Sequence, residues 1–149
     1  MARVLIVDDD PVVRAALEWA LSDEGYQVET AADGESAVAA MSANAPDAVL
    51  LDLMLPGMDG WGVLREITRL GIRSRTRVIL VTGRVQESDI LLGWRHGVDE
   101  YVTKPFDVNQ VVEVVAEILQ AAPEQLREKR LRELEKAQLL RRIEAAFTF

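Results

Sequence analysis

Asp52 closes the apolar run Ala48-Val49-Leu50-Leu51 and is followed by Leu53-Met54-Leu55-Pro56-Gly57. A short apolar run ended by a Pro-Gly turn reads as a buried strand. A carboxylate at the carboxyl end of such a strand stands where open α/β sheets hold their sites. The pattern recurs three times. Arg3–Val7 runs into Asp8, Asp9 and Asp10, Val78–Val81 runs into Thr82 and Gly83, and Asp99–Thr103 runs into Lys104 and Pro105. Acids, a hydroxyl and an ammonium at neighbouring strand ends can hold a divalent cation and a phosphoryl group together.

Each residue type has its use in that chemistry. Adjacent acids repel, so crowding Asp8, Asp9 and Asp10 needs a reason. Mg²⁺ is bound through one or two carboxylates with further oxygens and waters, which Asp8 and Asp9 with Asp52 supply. Asp10 reads instead as the cap of the helix that follows. Asp52 is placed to act as a carboxylate nucleophile towards phosphorus, and a metal lowers its repulsion of an incoming dianion. Thr82 can hydrogen-bond one phosphoryl oxygen, and Lys104 can neutralise another. The Lys104-Pro105 bond is a candidate cis peptide that aims the lysine back over the rim.

The elements that position these residues follow from periodicity and punctuation. Strands are expected at Arg3–Asp8, Gln27–Ala31, Asp47–Leu51, Arg77–Thr82 and Asp99–Thr103. Helices are expected at Pro11–Glu24, Asp33–Asn44, Asp59–Leu70, Glu87–His96 and Val108–Ala121. Asp10 before Pro11 combines a capping acid with proline at the first helical position, and Gly25 ends that helix. Asp107 caps the fifth helix, with Gln110 three residues on as in a capping box. Alternating strands and helices predict a parallel sheet covered on both faces. Right-handed crossovers then bring every strand's carboxyl end to one edge. Asp8, Asp9, Asp52, Thr82 and Lys104 must share that rim.

A sixth helix is expected from Pro123 to Phe147. Leu126, Leu134, Ala137, Leu140, Ile143 and Phe147 form an apolar stripe that drifts round it, which is wrong for a heptad seam. The helix is expected to project from the preceding one and to pack on a second subunit or a partner.

Composition narrows the function classes. The 149 residues include no cysteine and carry a formal net charge of -8. Disulfides and thiolate metal sites are therefore excluded. Residues 123–149 hold seven Lys/Arg against five Asp/Glu, and residues 1–122 hold ten against twenty. The main domain is thus acidic, which argues against direct nucleic-acid binding. No apolar stretch approaches the roughly 20 residues of a spanning helix. A soluble cytoplasmic protein with no membrane association is expected.

The segments VLIVDDDPVVR, DAVLLDLMLPGMDG, VILVTGR and DEYVTKPFD resemble the receiver domain of bacterial two-component response regulators, the CheY-like superfamily. The resemblance covers residues 1 to about 121 with every signature in order. It implies an α/β flavodoxin-like (βα)5 fold with strand order 2-1-3-4-5. It makes Asp52 the phosphoacceptor and gives Mg²⁺ direct ligands in Asp9, Asp52 and the Met54 carbonyl, with Asp8 acting through water. Thr82 becomes the switch hydroxyl, Tyr101 the aromatic switch and Lys104 the phosphate-binding lysine. The implied donor is a histidine kinase or phosphotransfer protein. The implied output is a conformational switch, not turnover, read by a protein effector or a homodimer through the 87–121 face. A receiver over 1–122 with a helical extension over 123–149 is expected. Met54 and Arg84, two residues past Asp52 and Thr82, flank the path of attacking water, so slow self-dephosphorylation is expected.

Two alternatives accompany this reading. Asp8-Asp9-Asp10-Pro11-Val12 also fits the opening motif of haloacid-dehalogenase-like phosphatases, with Asp8 as nucleophile and Asp10 as general acid. That reading leaves Asp52 idle and lacks a later acid pair. A stand-alone receiver with an extra helix is expected; the alternative is the N-terminal part of a longer response regulator whose effector domain is missing.

Overall fold

A computed structural model describes residues 1–84 and 86–147. The strands are β1 (Arg3–Val7), β2 (Gln27–Ala31), β3 (Ala48–Leu51), β4 (Arg77–Thr82) and β5 (Glu100–Thr103). The helices are α1 (Pro11–Asp23), α2 (Gly34–Ala43), α3 (Gly60–Arg69), α4 (Glu87–Arg95), α5 (Val108–Gln120) and α6 (Pro123–Phe147). The strands are parallel and ordered β2-β1-β3-β4-β5. This is the expected flavodoxin-like arrangement.

Period-two alternation divides the core between the two faces of the sheet. Leu5, Val7, Val49, Leu51, Val78 and Leu80 pack with Met41, Trp61, Ile67 and Trp94 from α2, α3 and α4. Val4, Ile6, Leu50, Ile79, Val81 and Val102 pack with Leu17, Leu21, Val111, Val115 and Ile118 from α1 and α5. Helix starts are fixed by short acids, as expected for Asp10 and Asp107. Asp10, Asp33, Asp59 and Asp107 each accept from a backbone N–H two or three residues on. Such caps are worth about 1 kcal/mol each.

The tail corrects one expectation. α6 does not project from α5; it turns back and packs along α4 of its own domain. Ala121 adopts an extended conformation at the end of α5. Pro123 cannot continue a helix, so it opens a new one, with Gln125 Oε1 accepting from Ala122 N at 2.8 Å. Leu126 is then buried against the α1–α5 face, whereas Leu134 packs on the opposite, α4 side. Between them, Lys129 pairs with Glu100 and Arg130 Nη1 lies 2.6 Å from Asp99 Oδ1. α6 therefore straps the β5 edge of the sheet. Leu140, Ile143 and Phe147, from the same predicted stripe, remain exposed on the single chain.

Candidate functional site

The sheet ladder sets the rim. Asp8 N donates to Ala31 O at 3.1 Å and Asp52 N to Val7 O at 3.0 Å, so both acids sit one step beyond their strands. Lys104 N donates to Thr82 O at 3.0 Å and aligns the other pair. Gly60 lets the next helix close over the strand end. A Cβ there would lie 2.6 Å from both Asp52 O and Leu53 Cα.

Three carboxylates converge. Asp8, Asp9 and Asp52 each offer an oxygen, and these oxygens lie within 4.8 Å of one another. Asp8 and Asp52 are buried, and Asp9 is exposed. Lys104 Nζ donates to Asp8 Oδ2 at 2.6 Å and to Asp52 Oδ2 at 2.8 Å. Partial burial pulls the Lys104 pKa down, but hydrogen bonds and charge from Asp52 and Asp8 outweigh it and hold the ammonium above its ordinary value. The remaining oxygens are oriented by backbone. Asp10 N donates to Asp8 Oδ1 at 2.9 Å, and Met54 N to Asp52 Oδ1 at 3.0 Å. An all-oxygen, strongly anionic donor set of this kind is compatible with a hard divalent cation.

The other predicted residues fall into two groups. Thr82 is fully buried at the rim, its Oγ1 accepting from Arg84 N at 3.1 Å. The Met54 side chain is exposed beside Asp52. Tyr101 lies apart from the acids, beneath α4. Its hydroxyl donates to Asp89 O at 2.6 Å, and its ring meets Trp94 edge-on at 5.8 Å. Gly93 makes the room, since a Cβ there would collide with the Tyr101 ring. Burial pushes the Tyr101 phenol well above its usual pKa, and the charge of Asp89 adds to the effect. The Lys104-Pro105 peptide is cis, as expected.

Sequence reasoning missed two participants. Arg14 Nη1 donates to Asp8 O at 2.7 Å and holds the acidic turn from α1. Asp89 is buried, and Arg84 Nε lies 3.1 Å from its Oδ1. An acid in the first turn of a helix reads as a dipole partner on an exposed face, so nothing in the sequence marks Asp89 as buried.

The haloacid-dehalogenase alternative loses its general acid here. Asp10 is committed to capping α1, where it accepts from Val12 N at 2.9 Å.

Comparison with known proteins agrees with this geometry. The response regulator receiver domain family matches residues 4–116. The transcriptional regulatory protein TcrA of Mycobacterium tuberculosis is 43% identical over 109 residues, which cover 73% of this chain and 42% of TcrA. The chain thus spans about two fifths of the length of that curated relative. Among solved structures, the BeF3-activated DrrB receiver domain superposes with a TM-score of 0.73 at 31% identity, covering 81% of this chain and 99% of its own. A CheY-like receiver domain protein of Methanospirillum hungatei superposes with a TM-score of 0.75 at 28% identity, covering 87% and 98%. With its five-stranded order, its rim of acids and its matching family signature, this chain belongs to the response regulator receiver domains of two-component signalling.

Proposed function

We propose that Asp52 is the phosphoacceptor and that residues 1–122 act as a phosphorylation-driven switch, with the expected extension over 123–149 seated on it as α6 through Phe147; residues 148 and 149 lie outside the described residues. The observation that carries this reading is the single ammonium of Lys104 bridging buried Asp8 and Asp52. Two buried carboxylates with one cation between them form a site short of positive charge. A metal ion meets that shortage, and Lys104 can turn to a phosphoryl oxygen.

In the transfer, an Asp52 carboxylate oxygen attacks phosphorus. The bond from phosphorus to the donor breaks, and its electron pair leaves with the donor. From a phosphohistidine the leaving group is an imidazole, which takes a proton. From acetyl phosphate it is acetate. Lys104 and the Thr82 hydroxyl bind the equatorial oxygens. Asp8, Asp9, Asp52 and the Met54 carbonyl are the residues that would hold Mg²⁺. That ion, when bound, supplies charge neutralisation between carboxylate and phosphoryl group. Arg14 and the Asp10 and Met54 N–H groups keep the acids oriented.

The donor is a histidine kinase or phosphotransfer protein, and the output is a protein contact, not direct nucleic-acid or membrane binding. Among the described residues no helix is long and apolar enough to cross a membrane. A cytoplasmic setting fits this reading. The chain catalyses its own phosphorylation and dephosphorylation and turns over no other substrate.

Intact-mass measurement with acetyl phosphate and Mg²⁺ tests the reading. A gain of about 80 Da, for one phosphoryl group with its three acceptor oxygens, is expected in the wild type. It should be absent in Asp52→Asn and in excess chelator. Equal labelling of Asp52→Asn would overturn the assignment.

A further inference from the structure

The amino-terminal edge of the sheet, opposite the rim, carries a second charged place. Arg77 opens β4 and Asp99 directly precedes β5. Both therefore stand roughly 17 Å from Thr82 along the strands, at about 3.3 Å per residue. A cleft of about 580 Å³ lies there, between the connection from α3 to β4, the end of α4 and the first turns of α6. Four arginines line it, Arg73, Arg77, Arg127 and Arg130, and Asp99 is the one acid among the lining residues. Four guanidinium groups less one carboxylate leave a surplus of three positive charges, on a chain whose formal net charge is -8.

Asp99 does not use these cations up. Its Oδ2 accepts from Val78 N at 2.8 Å, and its Oδ1 meets Arg130 Nη1 at 2.6 Å. Arg73 Nη2 stands 3.6 Å from Oδ2, beyond hydrogen-bonding range. The Arg77 side chain donates to a backbone carbonyl, Ala121 O, at 3.3 Å. Arg127 is exposed and, among the described residues, has no hydrogen-bond or ion-pair partner.

Arg73 shows what the cleft lacks. Its Nη1 donates to Thr76 O at 2.7 Å, but its Nε is buried and has no partner. The Nε–Nη2 edge of a guanidinium is a fork that grips two oxygens of one oxyanion. Here that fork is unfilled, and an unpaired buried donor is unfavourable. Gly97 stands beside it with φ at +80°, and a Cβ there would lie 3.4 Å from Nη2 and 4.0 Å from Nε. The glycine thus leaves room that a side chain would take. Burial lowers the Arg73 pKa; the charge of Asp99 opposes this, and those of Arg130 and Arg77 add to it. The cations are held close against their own repulsion.

We propose that this cleft binds a small anion bearing a diphosphate group, with the Nε–Nη2 edge of Arg73 as its fork and Arg77, Arg127 and Arg130 around it. A single carboxylate would leave most of the positive surplus unanswered, whereas a diphosphate answers it. Arg73 is 23% exposed, so a small rotation of its side chain brings the fork to the anion. The volume falls within the roughly 300–1,000 Å³ of ligand pockets and exceeds what the diphosphate alone fills. The diphosphate is therefore either free or part of a nucleotide, for whose base His96 offers a flat ring at the cleft wall. A nucleic acid is disfavoured, because the surrounding acidic domain repels an extended polyanion. Arg73 and Arg77 belong to the body of the domain and Arg127 and Arg130 to α6, so the bound anion ties the tail to the sheet. The site does not depend on which residue accepts a phosphoryl group.

Amide spectra of the isotope-labelled full chain, titrated with inorganic pyrophosphate, adenosine diphosphate and guanosine diphosphate, test this. Chelator is present throughout, so that the carboxylates of the rim repel the anion. The amides of Ser74, Arg77, Gly97 and Arg127 should shift to saturation, and those of Asp9 and Met54 should stay in place. A nucleoside diphosphate that binds roughly tenfold tighter than pyrophosphate assigns a nucleotide, and equal or weaker binding assigns the free diphosphate. Arg127→Glu, at an exposed position, should keep the fold and Asp52 labelling and weaken binding roughly tenfold or more. Arg73→Gln removes the fork and should lose at least as much; where it fails to fold, Arg127→Glu decides. Added salt should weaken binding in the wild type. Absence of a saturable shift at the cleft, shifts confined to the rim, or an affinity unaltered in Arg127→Glu overturns the site.

Discussion

The strand-end rim and the α4–β5–α6 flank both bury carboxylates, and they balance them differently. At the rim, Asp8 and Asp52 share the one ammonium of Lys104, with Asp9 alongside. On the flank, Asp99 accepts from Val78 N at 2.8 Å and is met by Arg130 at 2.6 Å and Arg73 at 3.6 Å. Glu100 has Lys129 to itself. The rim is thus short of positive charge and responds to whatever cation or phosphoryl group arrives. The flank has at least one cation for each of these acids and answers instead to packing. Local charge deficit marks a place where chemistry happens, and local charge balance marks a place where surfaces meet.

The most severe break of that contrast is Lys104→Met. Among the described residues it removes the only cation that bridges the two buried acids. Removing one preorganised donor from a developing charge costs on the order of 10²–10³ in rate. Labelling of Asp52 by acetyl phosphate should slow by about that factor in an intact-mass time course. An unchanged rate would mean that the rim has no need of its ammonium.

Next in size is a packing lesion on the flank. Leu126 is 3% exposed and anchors α6 to the α1–α5 face. Leu126→Ala should cost about 2–5 kcal/mol. Phe147 on the same helix is 77% exposed. Phe147→Ala should stay within about 0.5 kcal/mol of wild type. Urea titrations of the two variants check the difference, and Asp52 labelling should be the same in both. A large loss of labelling in Leu126→Ala would show that rim and flank are not separable.

Smaller still is the exposed wall of the rim. Met54 cannot orient water, so Met54→Asn should speed loss of the phosphoryl group roughly tenfold, equal to about 1.4 kcal/mol of barrier. The intact-mass decay after removal of phosphodonor measures it. A wild-type lifetime of seconds would contradict the shielding role of the methionine.

The same contrast explains what could be read from the sequence. Every strand and helix was legible to within a residue or two, because the apolar runs are continuous and the caps are single acids before Pro11, Gly34, Gly60 and Val108. The rim was legible because parallel topology forces Asp8, Asp52, Thr82 and Lys104 to one edge. The flank was not. Where α6 goes after Pro123 depends on a turn of two residues and on pairs such as Arg130 with Asp99, 31 positions apart. Helical periodicity locates a stripe on α6 but does not say what it faces. Arg84 was legible as a neighbour of Thr82, but its pairing with Asp89 was hidden for the same reason, since burial of Asp89 is a tertiary fact.

The smallest effect belongs to Tyr101, which joins the two regions. Its hydroxyl bonds the Asp89 carbonyl, and its ring packs on Trp94. Tyr101→Phe keeps the ring and removes the hydrogen bond, which should cost about 1 kcal/mol at neutral pH. The pH dependence has a definite sign. Burial, with the charge of Asp89 behind it, raises the folded-state pKa of this phenol above its unfolded value. The native state therefore binds the proton more tightly than the unfolded chain does. Its contribution is fully present below the ordinary tyrosine value of about 10 and is lost as pH rises from there through the folded-state value. The stability gap between wild type and Tyr101→Phe should thus be constant up to about pH 9 and shrink in more alkaline solution. Urea midpoints of both proteins across that range measure the gap. A gap that widens with alkali would place the ionised phenol in the folded state and would break the link drawn here between Tyr101 and the first turn of α4.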